Sequence, residues 1–526
     1  MPIPDTDVMA ASQLDASTTS FAPPVSIAPP TTFDSTAPLG STASLGSTTT
    51  FDSTAPLGST ASLGSTASFG TTDALDPASS GGFGHRAADG LLLPVDELPA
   101  SESAPDVVYG RVHDELMLDG NARLNLATFV TSWMEPQARQ LMTETAEKNL
   151  ADRAEYPQIT AMEERCVQML ARLWHAPRPG QVRGCSTTGS SEAAMLGGLA
   201  LKRRWQARRR AQGKDTARPN LVMGANVQVC WKKFANYFEV EPRYVPMEPG
   251  RYHLTADALS SYCDDNTIGV VAILGSTFDG SYEPVADICL ALDGYQAATG
   301  TDIPVHVDGA SGAMVAPFLD PDLLWDFQLE RVASINTSGH KYGHVFPGLG
   351  WALWRDAEAL PDELVFDVDY LGGCSPSFTL NFSRPGAHVV AQYYSFLRYG
   401  FEGLRNLAVQ SRRTARALAA RIASIAPYEL VTDGSELPAF AFRMAPGTQG
   451  VTVFDISHAM RERGWHLPAY HFPAPCQDVS VLRLVVRTGF TAELAGMFIA
   501  DLTEVTRKLH PARPTLSAVV KPLATV

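Results

Sequence analysis

His306-Val307-Asp308-Gly309-Ala310-Ser311-Gly312, followed by Ser334-Ile335-Asn336-Thr337-Ser338-Gly339-His340-Lys341-Tyr342-Gly343, is the stretch on which the reading of this chain turns. Val305 to Asp308 reads as a short buried strand that ends on an acid. Lys341 comes later, flanked by Ser338, Gly339 and His340. A lysine taken alone is an ordinary solvated surface residue. An acid at the end of an apolar strand, paired with such a lysine, is what pyridoxal phosphate (PLP) chemistry requires. The amine forms a Schiff base with the cofactor's aldehyde, and the acid keeps the pyridine nitrogen protonated so that the ring can accept electrons.

Outward from this stretch, buried apolar runs alternate with helical periodicity. Asn220–Gly224 and Ile268–Gly275 read as strands, and Pro136–Asn149 and Ile159–His175 as helices. Strands separated by helices imply an α/β fold with a mostly parallel sheet, whose ligands gather at the carboxyl ends of the strands. Beyond residue 410 the pattern changes to an Arg/Ala-rich helix near 403–426, shorter strands at Ala439–Arg443 and Leu482–Val486, and a last helix near 491–509. The expected organisation is an arm over 91–122, a large domain over 123–410, and a smaller α+β C-terminal domain over 411–526 that closes over the site.

A second chemical signal is Ser186-Thr-Thr-Gly-Ser-Ser-Glu-Ala193, which leads into an Ala/Leu/Gly-rich helix. Small hydroxyl residues around a glycine at a helix start set free N–H and Oγ donors against a dianion, aided by the helix dipole. The same residues also serve as a plain Ser cap. Paired with Lys341, the cofactor's phosphate cup is the better reading.

The first ninety residues differ from the rest. Residues 31–48 recur identically at 49–66, built from six-residue units such as STAPLG and STASLG. One large apolar side chain per unit is too little burial to offset roughly 1–2 kcal/mol of backbone entropy per ordered residue. Residues 1–90 therefore read as a disordered tail, with a β-solenoid as the alternative. The tail carries about half of the net charge of −15.

Composition excludes several classes of function. The apolar fraction of 45% and charged fraction of 18% suit a soluble globular enzyme. The net acidity argues against nucleic acid as a partner, and the basic run from Lys202 to Arg210 reads as one solvated helix face. Seven cysteines are scattered without CxxC or metal-ligand spacing. That pattern points to reduced thiols, a cytoplasmic protein and no metal site. No apolar run approaches the ~20 residues of a membrane span. The acidic start is no signal peptide.

From about 110 to 510 the chain resembles the bacterial glutamate decarboxylases, group II PLP-dependent decarboxylases of the fold type I transferase class. The resemblance rests on Leu118-Asp-Gly-Asn-Ala-Arg123, Asn125-Leu-Ala-Thr-Phe129, Glu155-Tyr-Pro157, Leu173-Trp-His-Ala-Pro177, Gly189-Ser-Ser-Glu-Ala193 and Met195-Leu-Gly-Gly198. It continues through Asn266-Thr-Ile-Gly-Val270, Trp325-Asp-Phe327, Ser338-Gly-His-Lys341, Asp369-Tyr-Leu-Gly-Gly373 and Asn381-Phe-Ser-Arg-Pro385.

It implies that Lys341 holds the cofactor, Asp308 partners the pyridine nitrogen, and Ser190, Ser191, Ser338 and His340 bind the phosphate. Ser383 is implied to reach the phosphate from the neighbouring subunit. Gln228 matches the residue stacked on the ring, and Thr277 and Ala310 line it. Thr128, Phe129 and, across the dimer, Asp152 match residues that bind the distal carboxylate of L-glutamate, with Asn149 also at the substrate. Arg483 matches an arginine near the substrate carboxylate, and Tyr370 a lid tyrosine that returns a proton to Cα. The implied reaction gives 4-aminobutyrate and CO2 and consumes a proton, which suits acid tolerance. The implied assembly is a homodimer, with a hexamer as an extension.

The chain also departs from the pattern. Lys232 replaces a histidine expected near the cofactor, Gly309 stands where Ala is usual, and the terminal Lys521–Val526 segment lacks a site-capping histidine. Weaker shut-off at neutral pH follows as an expectation. Two alternatives remain at this stage: a decarboxylase of another amino acid, and a catalytically silent scaffold suggested only by Lys232.

Overall fold

The computed structural model describes residues 96–369 and 375–510. Tyr370, the repetitive tail and the C-terminal segment lie outside the described residues.

Seven strands form the main sheet: β1 (Arg183–Thr187), β2 (Asn220–Gly224), β3 (Glu241–Val245), β4 (Thr267–Ile273), β5 (Val305–Asp308), β6 (Val332–Thr337) and β7 (Gly350–Trp354). Their order is β1-β7-β6-β5-β4-β2-β3. β7 alone runs against its neighbours, β6 and β1, and every other pairing is parallel. Parallel strands need both faces covered, and each residue of β4 is accordingly buried. Val270 and Ala272 face one apolar cluster while Val271 and Ile273 face another, the period-two alternation of a strand. Each such Val or Ile stabilises the fold by roughly 1.5–3 kcal/mol.

The helix Ser190–Ala211 lies against one face of this sheet. Its Gly197-Gly198 pair permits the approach: a Cβ on Gly197 would meet His306 Cε1 at 2.4 Å, and one on Gly198 would meet Phe234 at 2.7 Å. The second sheet is antiparallel, in the order β10-β11-β13-β12. Its strands are β10 (Tyr428–Leu430), β11 (Ala439–Met444), β12 (Ala469–His471) and β13 (Ser480–Val485). A short ribbon pairs β8 (Phe366–Val368) with β9 (Ser375–Ser377).

Two sequence-based helices change their bounds. The first ends at Glu144 rather than Asn149. Asn149 leaves the helix to bridge Pro385, and its Oδ1 accepts from the N–H groups of Ala151 and Arg384. The helix expected near 403–426 begins at Gly386 and runs to Ala423, with a break at Gly400 (φ 56°, ψ −170°). That break interrupts the periodicity, so its first half is hard to read as helix.

Candidate active site

The carboxyl ends of β4 and β5, the start of the Ser190 helix and the loop after β6 enclose a cavity of about 330 Å³. Ser190, Ser191, Gln228, Thr277, Asp308, Ala310, His340 and Lys341 all line it. Glu192, Asn226 and Cys230, for which no role was expected, also line it.

Lys341 Nζ donates to Ser311 Oγ (3.2 Å) and lies 5.3 Å from the centre of the Phe129 ring. Burial pushes its pKa down, and the nearby Asp308 charge works against that. A desolvated amine of this kind is more readily the free base, the form that attacks an aldehyde.

The phosphate end consists of donors. Gly189, the N-cap of the Ser190 helix, supplies no side-chain acceptor, so the leading N–H groups of the helix remain for an anion. Burial, followed by the charge of Lys341, holds the His340 pKa down at about 4, so the ring is neutral. Its Nδ1 accepts from the N–H of Leu349 (3.2 Å), which leaves the hydrogen on Nε2 as a donor. Ser338 is fully buried and its Oγ has no hydrogen-bond partner. A buried hydroxyl without a partner is costly, and a bound phosphate oxygen would relieve it. Glu192 brings a negative charge close by. Its carboxylate is occupied by Thr188 N and Oγ1, Leu380 N, and the N and Nδ2 of Asn381. These residues fit PLP.

The substrate set divides in two. Both Lys341 and the Arg483 guanidinium approach the Phe129 ring, the guanidinium at 4.9 Å from its centre. Arg483 donates to the carbonyls of Thr277 and Ala127, and its Nε has no partner. Arg487 donates to the carbonyl of Val130 (2.7 Å) and to that of Asn125. The two arginines thus strap down the segment that carries Thr128 and Phe129. Thr128 itself turns its Oγ1 to the N–H of Val130. Asn149, Asp152 and Ser383 do not line the cavity, and neither do Thr128, Phe129, Arg483 and Ser338. Asn149 Nδ2 donates to Ser383 Oγ (3.1 Å), and Asp152 accepts from the N–H of Glu155.

One departure is corrected. Lys232 was expected near the cofactor but lies on the exposed face of the helix Val229–Tyr237, whose inward positions are Cys230, Trp231 and Phe234. The silent-scaffold reading thereby loses its support.

The model of the pyridoxal-dependent decarboxylase conserved domain matches residues 99–445. A glutamate decarboxylase of Aliivibrio fischeri is 49% identical over 414 residues, which is 78% of this chain and 89% of that protein. Glutamate decarboxylase 5 of Arabidopsis thaliana is 46% identical, covering 80% of this chain and 85% of its own. Among solved structures, a Lactobacillus brevis glutamate decarboxylase superposes with a TM-score of 0.78 at 42% identity, over 81% of this chain and 98% of its own. The chain belongs to the pyridoxal-dependent decarboxylase family.

Proposed function

We propose that the chain removes the α-carboxyl group of L-glutamate with the aid of PLP, giving 4-aminobutyrate and CO2. The observation that carries this reading is the single cavity that gathers a desolvated Lys341, the Asp308 carboxylate and an uncapped helix end. Relatives named glutamate decarboxylase, at 49% and 46% identity, direct the choice of substrate.

When bound, PLP supplies the sink for the electron pair left by the departing carboxylate. Lys341 would hold the cofactor through its desolvated amine. Asp308 holds the ring nitrogen's proton, while Ser190, Ser191, Ser338 and His340 grip the phosphate. Gln228, Thr277 and Ala310 fix the ring plane. Phe129 and Arg483 close the substrate side and exclude water, which strengthens every charge interaction inside. Tyr370 delivers the proton to Cα. Asn149, Asp152, Thr128 and Ser383 complete the site in a homodimer, each subunit lending Asp152 and Ser383 to its neighbour. No described helix is long and apolar enough to cross a membrane, and a cytoplasmic enzyme whose proton uptake serves acid tolerance is the setting we favour.

The test is product analysis with L-glutamate, at acidic and at neutral pH, with Lys341→Ala as control. We expect stoichiometric 4-aminobutyrate and CO2 that vanish in the variant. Bound cofactor without product would transfer the activity to another amino acid.

A further inference from the structure

Asp308 is held by more than its strand. Its Oδ1 accepts from the N–H of Ala310 (3.2 Å) and from Asn336 Nδ2 (3.1 Å), and its Oδ2 accepts from the Trp231 indole N–H (2.7 Å). An ionised carboxylate offers about four acceptor positions. Three are taken, and the one left is on Oδ2, the oxygen that Trp231 shares.

The orientation of the Asn336 amide is fixed in turn. Its Oδ1 lies 2.7 Å from His306 Nε2, while His306 Nδ1 lies 2.7 Å from Ser334 Oγ. Burial lowers the His306 pKa, and with the Asn336 oxygen as its neighbour Nε2 is the nitrogen that donates. A carboxylate only accepts, so the Asn336 NH2 points at Asp308 and its Oδ1 at His306.

Trp231 is fully buried and packs edge-on to His306 (5.2 Å) and Phe234 (5.9 Å). It stands three residues beyond Gln228, which caps the helix through Oε1 and the N–H of Cys230. An indole N–H can only donate and does not titrate. Of the three donors to Asp308 it makes the shortest bond, in the range of charge-assisted pairs.

We propose that Trp231 is a positioning residue for the cofactor's ring nitrogen: its N–H fixes the direction of the one free acceptor site on Asp308 and holds negative charge there, so that the shared proton stays on the ring. This rests on the PLP reading above. Hydrogen bonds to a carboxylate favour its charged form. Without the indole donor the charge on Oδ2 is held less well, and the proton moves from nitrogen toward oxygen. The titratable groups that face Asp308 are Lys341, His306, Cys230 and Glu283, none of which the substitution alters.

The experiment compares wild type and Trp231→Phe, each loaded with PLP labelled with 15N in the ring. Phenylalanine keeps an aromatic ring and removes the donor. The expected results are a ring-nitrogen resonance displaced toward unprotonated pyridine in the variant and cofactor affinity lower by about tenfold. Should Trp231→Phe fail to fold, benzothienylalanine inserted at position 231 keeps the shape and removes only the N–H, and the same displacement is expected. An unchanged resonance in a folded variant overturns the proposal, because a purely packing role does not move that signal. Wild type that takes up no PLP overturns the PLP reading itself, which is a different failure.

Discussion

Gly309 stands beside Asp308 at a position where an added Cβ would lie 2.5 Å from the Ala313 methyl and 3.2 Å from the Asn336 carbonyl oxygen. The residue is therefore tied to Ala313 by volume. Gly309→Ala should cost about 1–3 kcal/mol by overpacking, and Gly309→Ala with Ala313→Gly should recover most of it, read as denaturant midpoints. A double variant no better than the single one would break the link. Glu283, behind the cavity, accepts from the N–H groups of Ile273 (2.6 Å) and Leu254 (2.9 Å) and from Asn226 Nδ2. Burial pushes its pKa up from 4.5 to about 7. The folded state thus binds this proton more tightly than the unfolded chain. Its contribution is fully present below pH 4.5 and is lost as pH rises toward 7, a change of about 3 kcal/mol. Glu283→Gln should flatten that part of the stability profile in a thermal-midpoint series against pH. At this scale Lys341, Asp308 and the Ser190 cup were legible because their residue types are chemically unusual in combination. Trp231, Asn336 and His306 were not, since buried polar side chains find partners through strand register and helix direction, which a linear motif does not display.

Among the elements, β2, β5 and the C-terminal helix Ala492–Leu509 follow directly from their apolar runs and end signals. Thr491 caps that helix by accepting from the N–H of Leu494. The helix Gly386–Ala423 was half legible, and Gly400 is the reason. A Cβ at Gly400 meets nothing within 4 Å, so the cost of a side chain there is all backbone. Its conformation belongs to glycine, and Gly400→Ala should destabilise by about 1–3 kcal/mol. Gly294 is the opposite case. It lies in the helix Val285–Thr299, without positive φ and with open space at its Cβ. Gly294→Ala should stabilise by about 0.5–1 kcal/mol. Thermal midpoints of the two variants should move in opposite directions, and a shared direction would refute the backbone account.

At the scale of the molecule, Asn149 and Ser383 pair beside a second cavity of about 270 Å³, lined in part by Leu150, Ala151, Glu163 and Arg384. Arg384 there binds Glu163 and the Ser186 carbonyl. If Asp152 and Ser383 serve a neighbour's site, two inactive variants should complement one another. Mixing Lys341→Ala with Asp152→Ala subunits under exchange should restore one intact site per hybrid dimer, seen as regained 4-aminobutyrate formation. Mixtures that stay inactive despite exchange would place both residues in one subunit's site. The sequence could suggest this division only through the family resemblance, because no pattern within one chain records which copy a side chain faces. Whether Lys341 carries the cofactor in the cavity beside Asp308 can be read from borohydride reduction of the PLP-loaded protein followed by peptide mass mapping. The expected result is the cofactor's mass on the peptide containing Lys341 and on no other. Label on a different lysine, or on none, would contradict it.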